Sequence, residues 1–139
     1  MRDGLILGAR ARVDAVVAED MVATLGGRAV HPVLATARMI EWMEWAGRRL
    51  ILPYLEPGED AVGYAIEVVH LRPTRVGEKF WAIAEWEGRD QDRLYARVTA
   101  YNVRHRIGEG RFTQVLVPTD RLERAFRVPV SQAGDTPES

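Results

Sequence analysis

Three polar residues of this chain have side chains suited to proton transfer and carbonyl chemistry: Thr36, Glu44 and His70. A carboxylate can act as a base or a nucleophile, and an imidazole moves protons near neutral pH. A hydroxyl near the start of a helix can orient an acyl carbonyl or a water beside unpaired backbone N–H groups. Each residue also has an ordinary structural explanation, which spacing alone favours. Thr36 would cap the helix, Glu44 would pair with Arg48 one turn later, and His70 would be a structural histidine at a strand end.

Other kinds of site are excluded by residue types that the chain lacks or holds in the wrong pattern. Without any cysteine there is no thiolate zinc site, iron–sulfur cluster, disulfide or cysteine nucleophile. The serines are Ser131 and Ser139, and no GxSxG motif is present, which excludes a serine hydrolase. His31, His70 and His105 show no metal-ligand spacing, so no metal site is predicted. A net charge of −1 removes the global electrostatic argument for nucleic-acid binding.

The length of 139 residues and the apolar content of 47% fit one globular domain. We expect this domain to span residues 1–128, followed by a flexible tail, 129–139, that is dispensable for folding. No apolar stretch approaches the roughly 20 residues of a membrane span, and the first nine residues do not resemble a signal peptide. The chain is therefore expected to be cytoplasmic and free of membrane contacts. Its 18 arginines against one lysine fit either a heat-adapted protein or a GC-rich genome.

One long helix is predicted from Ala35 to Leu52, where Pro53 follows. At about 100° per residue, one stripe collects Thr36, Met39, Ile40, Met43, Gly47 and Leu50. Glu44 lies about 80° from Thr36, at the border of this stripe, where its carboxylate would be partly desolvated. The opposite side carries Trp42 and Trp45 with two arginines, so we expect a sheet or a partner subunit to cover it.

The rest of the chain is typical of antiparallel strands. A first strand is predicted at 10–18, an extended segment at His31-Pro32, strands at 62–70, 79–87, 94–103 and 107–117, and a short helix at 120–126. Alternation places Val62, Tyr64, Ile66, Val68 and His70 on one strand face. A long helix followed by a strand meander indicates an α+β fold, with the helix packed on a strongly curved antiparallel sheet in a hot-dog arrangement.

The stretch MEWAGRRLILPYLEPGEDAVGYAIEVVH, from Met43 to His70, resembles the same region of the fluoroacetyl-CoA thioesterase family of hot-dog proteins. The shared features are a threonine near the helix start, Met-Glu-Trp-Ala within the helix, the Pro-Tyr-Leu-Glu-Pro-Gly-Glu loop, and a glycine seven residues before a histidine. The similarity extends without gaps from about Leu34 to Val117.

The resemblance implies a homodimeric acyl-CoA thioesterase and leaves open whether dimers pair into tetramers. It places the catalytic set on Thr36, Glu44 and His70, and the glycine that lines the acyl pocket on Gly63. The chain departs from the family pattern at two positions near the substrate. Gln114 replaces an arginine of the last strand, and Val30 replaces a bulky aromatic six residues before the threonine. We therefore expect a different short or branched acyl group rather than fluoroacetyl-CoA.

The implied chemistry is thioester hydrolysis, in which Glu44 either activates water or attacks the carbonyl. CoA is part of the substrate, and no separate cofactor or metal is expected. Candidate partners of the CoA phosphates lie on turns: Arg72, Arg75, Arg104 and Arg106. Two alternatives stay open, namely a non-catalytic module that binds acyl-CoA or a small ligand, and a hot-dog hydratase of enoyl thioesters.

Overall fold

The computed structural model describes residues 1–130. Of the predicted tail, Pro129 and Val130 are exposed and irregular, and 131–139 lies outside the described residues. Dispensability of the tail stays a prediction. No helix of residues 1–130 has the length and apolar content needed to cross a bilayer.

A five-stranded antiparallel sheet is the main element of the fold. Its strands stand in the order β1-β5-β6-β7-β4. In chain order the elements are β1 (Arg10–Val16), β2 (Val22–Leu25), β3 (Arg28–Leu34), α1 (Thr36–Ile51), β4 (Glu59–His70), β5 (Lys79–Asp90), β6 (Arg93–Asn102), β7 (Arg106–Pro118) and α2 (Thr119–Phe126), with short 3₁₀ turns at Glu19–Met21 and Leu52–Tyr54. A long helix against an antiparallel sheet confirms the α+β hot-dog prediction.

The α1 helix packs on the sheet through a stripe of small and flexible side chains. Met39, Met43, Ala46 and Leu50 recur at helical spacing and are buried against the sheet, mainly β5 and β1. The expected cover over the tryptophans is present for one of them. Trp42 meets the Phe80 ring edge-on at 5.6 Å between centroids, whereas Trp45 remains 54% exposed.

A bulge in β4 changes the predicted strand face. Gly63 pairs with Gln114 and Ala65 with Thr113, so Tyr64 is an extra residue without a partner of its own. Because one inserted residue reverses the alternation, Val62 and Tyr64 do not share the face of Ile66, Val68 and His70. The prediction of one continuous face from Val62 to His70 is therefore wrong.

A β-hairpin occupies the segment before the helix, where the sequence predicts only an extended stretch. Strands β2 and β3 pair around Gly26 and Gly27, whose φ angles are +58° and +79°. Two consecutive positive φ values are typical of a tight hairpin turn and favour glycine at both positions. The Gly-Gly pair therefore marks the turn of a hairpin.

Candidate functional site

Thr36 and His70 meet where α1 begins and β4 ends. The Thr36 hydroxyl lies 2.8 Å from Nδ1 of His70. Thr36 is the first residue of α1, and Ala35 precedes it as the N-cap without a side-chain capping bond. The helix-cap explanation of Thr36 is therefore wrong, because its hydroxyl is directed to the imidazole instead. The pair lines an open groove of about 290 Å³ together with Val33, Leu71, Arg72 and Pro73.

The environment of His70 favours the neutral imidazole. Burial lowers the pKa of His70 below its ordinary 6.5, and the backbone of Arg72 opposes this shift in part. Nε2 is buried without a hydrogen-bond partner in the described part of the chain. A neutral ring at pH 7 can accept a proton at one nitrogen and donate from the other, as a proton shuttle requires.

Glu44 lies in a second groove, between α1 and β4. This groove of about 350 Å³ is lined by Glu41, Glu44, Trp45, Arg48, Ala61, Gly63, Phe112 and Gln114. A Cβ at Gly63 would lie 3.9 Å from Oε2 of Glu44, so the absence of a side chain there keeps the space beside the carboxylate open. Glu44 is exposed in this structure, which corrects the expectation of a half-desolvated carboxylate.

Arg48 does not pair with Glu44. Its Nη1 donates to Oδ1 of Asp60 at 3.1 Å and to the carbonyl of Ala61 at 3.0 Å, at the start of β4. Among residues 1–130 the Glu44 carboxylate forms no ion pair or hydrogen bond. The intrahelical ion-pair explanation is therefore wrong, because the arginine is held by the strand beside it. The Glu44 carboxylate is left available to a ligand.

The two positions that depart from the family pattern lie in different places. Gln114 is 3% exposed, pairs with Gly63 across the β4–β7 ladder and lines the groove of Glu44. Val30 lies on β3 and lines a separate apolar groove of about 360 Å³ with the neighbouring hairpin residues and Val76. The chain thus brings Gln114, but not Val30, to the groove of the Glu44 carboxylate.

The candidate catalytic residues form two separate clusters in the chain. Thr36 and His70 lie at the start of α1, and Glu44 with Gly63 and Gln114 lies beside its middle. Eight residues of helix separate Thr36 from Glu44, which corresponds to about 12 Å along the axis. Within one chain, Thr36 and His70 therefore line one groove and Glu44 lines another, and the two grooves are separate.

Of the four turn arginines, Arg72 is the best placed for an anionic substrate. Arg75 and Arg104 both bind Glu78, whose pKa falls to about 2 chiefly because of the Arg104 hydrogen bond, and Arg106 pairs with Glu109. Arg72 lines the Thr36–His70 groove and forms no ion pair within the described range. In that same range no group of three or more histidine, aspartate or glutamate side chains is arranged to hold a metal ion.

Phe112 also lines the groove of Glu44, although it is not among the site residues expected from the sequence. It is 4% exposed, lies on β7 two residues before Gln114, and borders the groove on the side of the core. The signal for it was present in the alternation of β7, because residues two apart in a strand share a face.

Comparison with known proteins agrees with this geometry. The family model described as fluoroacetyl-CoA-specific thioesterase matches residues 17–120. The chain is 32% identical over 137 residues to the fluoroacetyl-CoA thioesterase of Streptantibioticus cattleyicolor, covering 91% of this chain and 96% of that enzyme. A solved complex of a variant of the fluoroacetyl-CoA-specific thioesterase with fluoroacetate and CoA has a TM-score of 0.77 at 32% identity, covering 84% of this chain and 98% of that chain.

Two further solved structures share the architecture. A Thermus thermophilus hypothetical protein, a thioesterase superfamily member, superimposes with a TM-score of 0.86 at 38% identity, covering 90% of this chain and 93% of that chain. A hot-dog-like protein from Thermanaerovibrio acidaminovorans has a TM-score of 0.80 at 22% identity, covering 86% and 89%, and shows the fold alone. The chain therefore belongs to the fluoroacetyl-CoA-specific thioesterase family and is a thioester hydrolase with the hot-dog fold.

Proposed function

We propose that the protein hydrolyses a short acyl-CoA to the free acid and CoA, using Glu44, His70 and Thr36. The observation that carries this proposal is the 2.8 Å contact between the Thr36 hydroxyl and a His70 ring whose pKa is lowered by burial. Family membership supports the thioester as the bond that is broken. The substrate contributes the CoA moiety, and the mechanism needs no further cofactor.

The reaction consumes one water and breaks the bond between the acyl carbon and sulfur. Glu44 either takes a proton from the attacking water or attacks the carbonyl carbon itself, forming an anhydride that water then opens. The neutral His70 ring gives a proton to the departing CoA thiolate and recovers one from Glu44 or the attacking water, and Thr36 holds the imidazole in the required orientation. Backbone N–H groups near the start of α1 stabilise the negative charge that develops on the carbonyl oxygen.

A homodimer would bring the two clusters together. The β4 strand has 12 residues and stands at the edge of the sheet, with one side unpaired by any strand of residues 1–130. Tyr64 and Val69 on this strand are 59% and 57% exposed, and a long apolar edge favours pairing with another chain. Gly63 lies toward one end of β4 and His70 is at the other end. When two β4 edges pair antiparallel, the Gly63 end of one strand lies opposite the His70 end of the other. We propose that it places the Thr36–His70 pair beside Glu44 of the partner subunit.

A panel of acyl-CoA substrates with a thiol-detecting reagent tests the reaction. We expect release of free CoA from short acyl-CoAs by the purified protein, and loss of that release in Glu44→Gln. The matched control is Asp90→Asn, which removes the same charge from an exposed carboxylate at the end of β5, away from the β4 edge, that makes no ion pair within the described residues. Saturable binding of acyl-CoA without release of thiol would instead identify a non-catalytic binding module. Hydration of an enoyl-CoA without release of thiol would indicate a hydratase.

A further inference from the structure

We infer that the Phe112 ring forms the floor of the acyl groove and limits the length of the acyl group that the enzyme accepts. The inference rests on the proposed function, because it assigns the acyl group to the groove beside Glu44. It adds a specificity-determining residue on β7, outside the Thr36, Glu44 and His70 set.

The ring lies across the gap between α1 and β4. A Cβ at Gly47 would come within 2.5 and 2.9 Å of two ring carbons of Phe112, so the ring rests directly on the helix backbone. A Cβ at Gly63 would lie 3.5 and 3.6 Å from two other ring carbons, at ordinary contact distance. Two residues without side chains, one on each element, thus make room for a single aromatic ring between them.

This ring separates the groove from the core. Phe112 is 4% exposed and belongs to the main hydrophobic cluster, yet it also lines the groove that contains Glu44. It lines the adjoining cavity of about 220 Å³ beside Gly63 and Ile66 as well. Ala61 and Phe112 are the members of that cluster that line the groove, and Phe112 is the larger, so an acyl chain that enters beside Glu44 and points inward meets the phenyl ring as the main apolar barrier.

Flexible side chains of the core lie further along the inward face of β7, four residues from Phe112. Met39 and Met43 pack against Gly108, which shares the inward face of β7 with Phe112. Methionine is unbranched and adapts readily to a change in the shape of its surroundings. Shortening the side chain at position 112 should therefore extend the groove toward side chains that can move, rather than toward a rigid wall.

The test compares the parent with Phe112→Leu and Phe112→Ala on acetyl-, butyryl-, hexanoyl- and octanoyl-CoA. An added methylene that finds room in an apolar pocket changes kcat/KM by about 10-fold or more. We expect Phe112→Ala to raise the octanoyl-to-acetyl ratio of kcat/KM by at least about tenfold, and Phe112→Leu to shift it in the same direction by less. An unchanged ratio in both variants, each still active on acetyl-CoA, would overturn the inference.

Phe80→Leu is the matched control, because Phe80 is a fully buried phenylalanine of the same core that packs on Trp42 and does not line the groove. It should loosen the core yet leave the octanoyl-to-acetyl ratio at the parent value. If Phe112→Ala fails to fold, Phe112→Leu decides by the same ratio.

The proposed function and the groove assignment fail in different ways. If the parent hydrolyses no acyl-CoA, the proposed function is wrong. The affinities of non-hydrolysable S-alkyl-CoA thioethers of the same chain lengths then report on the groove. If Phe112→Leu binds thioethers with a longer alkyl chain more tightly than the parent does, the ring is still supported as the floor of the groove. If both bind the same chain length best, that role of the ring is rejected.

Discussion

The Thr36 hydroxyl and Nδ1 of His70 lie 2.8 Å apart, although 34 positions separate the two residues in the chain. The contact joins the first residue of α1 to the last residue of β4. It fixes the orientation of an imidazole whose second nitrogen is buried and unpartnered within residues 1–130. The hydroxyl thus acts on the proposed reaction through the ring that it orients.

If Thr36 orients His70, the loss of turnover should increase in the order Thr36→Ser, Thr36→Ala, His70→Ala. Thr36→Ser retains the hydroxyl and should keep most of the turnover, whereas Thr36→Ala should lower kcat with little change in KM. The loss in Thr36→Ala should be smaller than in His70→Ala, because a water can replace a hydroxyl that only orients the ring. Steady-state kinetics of the three variants on one substrate measure this order. A larger loss in Thr36→Ala than in His70→Ala would contradict the positioning role.

The lowered pKa of His70 predicts the pH dependence of the enzyme. His70 accepts a proton only when neutral, so kcat/KM should persist below pH 6.5 and fall only as pH drops through the lower pKa of the folded state. The unfolded chain binds this proton near pH 6.5 while the folded protein does not, so the free energy of unfolding should decrease below that pH. NMR titration of the His70 ring measures the pKa directly. A midpoint above 6.5 would contradict both expectations.

Glu44→Gln should lower turnover by at least about 10²-fold while leaving acyl-CoA binding nearly intact, because the amide keeps the shape but cannot act as base or nucleophile. Its thermal stability should match that of the parent, since Glu44 is exposed and forms no ion pair in the described part of the chain. Turnover, substrate affinity and melting temperature are the measurements. Near-parent hydrolysis by Glu44→Gln would end the proposed mechanism and leave the fold unaffected.

Mixing two inactive variants tests whether the site is shared between subunits. If Thr36 and His70 of one chain act with Glu44 of the partner subunit, a mixed dimer of Glu44→Gln and His70→Ala contains one intact site. Unfolding and refolding the two variants together should then restore about a quarter of the parent activity, since about half of the dimers formed by random association are mixed. Refolding each variant alone is the control. No recovery in mixed dimers would place the whole site within one chain.

The position of Arg72 in the Thr36–His70 groove predicts an effect on the binding of acyl-CoA that is separate from catalysis. If Arg72 binds a CoA phosphate rather than the reacting carbonyl, Arg72→Gln should raise KM for acyl-CoA roughly tenfold with little change in kcat. The difference from the parent should shrink as salt is added. Arg124→Gln, at an exposed arginine of α2, removes the same charge away from the groove and should leave KM unchanged. A kcat effect without a KM effect would assign Arg72 another role.

The elements that depend on local pattern were predictable. The α1 helix was expected at 35–52 and spans Thr36–Ile51, because helical periodicity and the following proline act over a few residues. The four strands after the helix were placed correctly by their alternation, with β4 and β5 each extending three residues further at one end. The β2–β3 hairpin was missed because its two short strands carry little alternation and only Gly26-Gly27 marks the turn.

The sequence by itself determined the fold class, the family and the identity of the three candidate catalytic residues. These depend on residue types and on their spacing along the chain, both of which can be read without the structure. Only the tertiary structure decided which partners these residues have. Thr36 contacts His70 instead of capping its helix, and Arg48 turns to Asp60 instead of Glu44. The bulge at Tyr64 likewise decides which β4 residues face the helix, and the packing of Phe112 on Gly47 decides where the groove ends. Strand register and contacts between distant elements set these partners, and neither is encoded in the periodicity of a single segment.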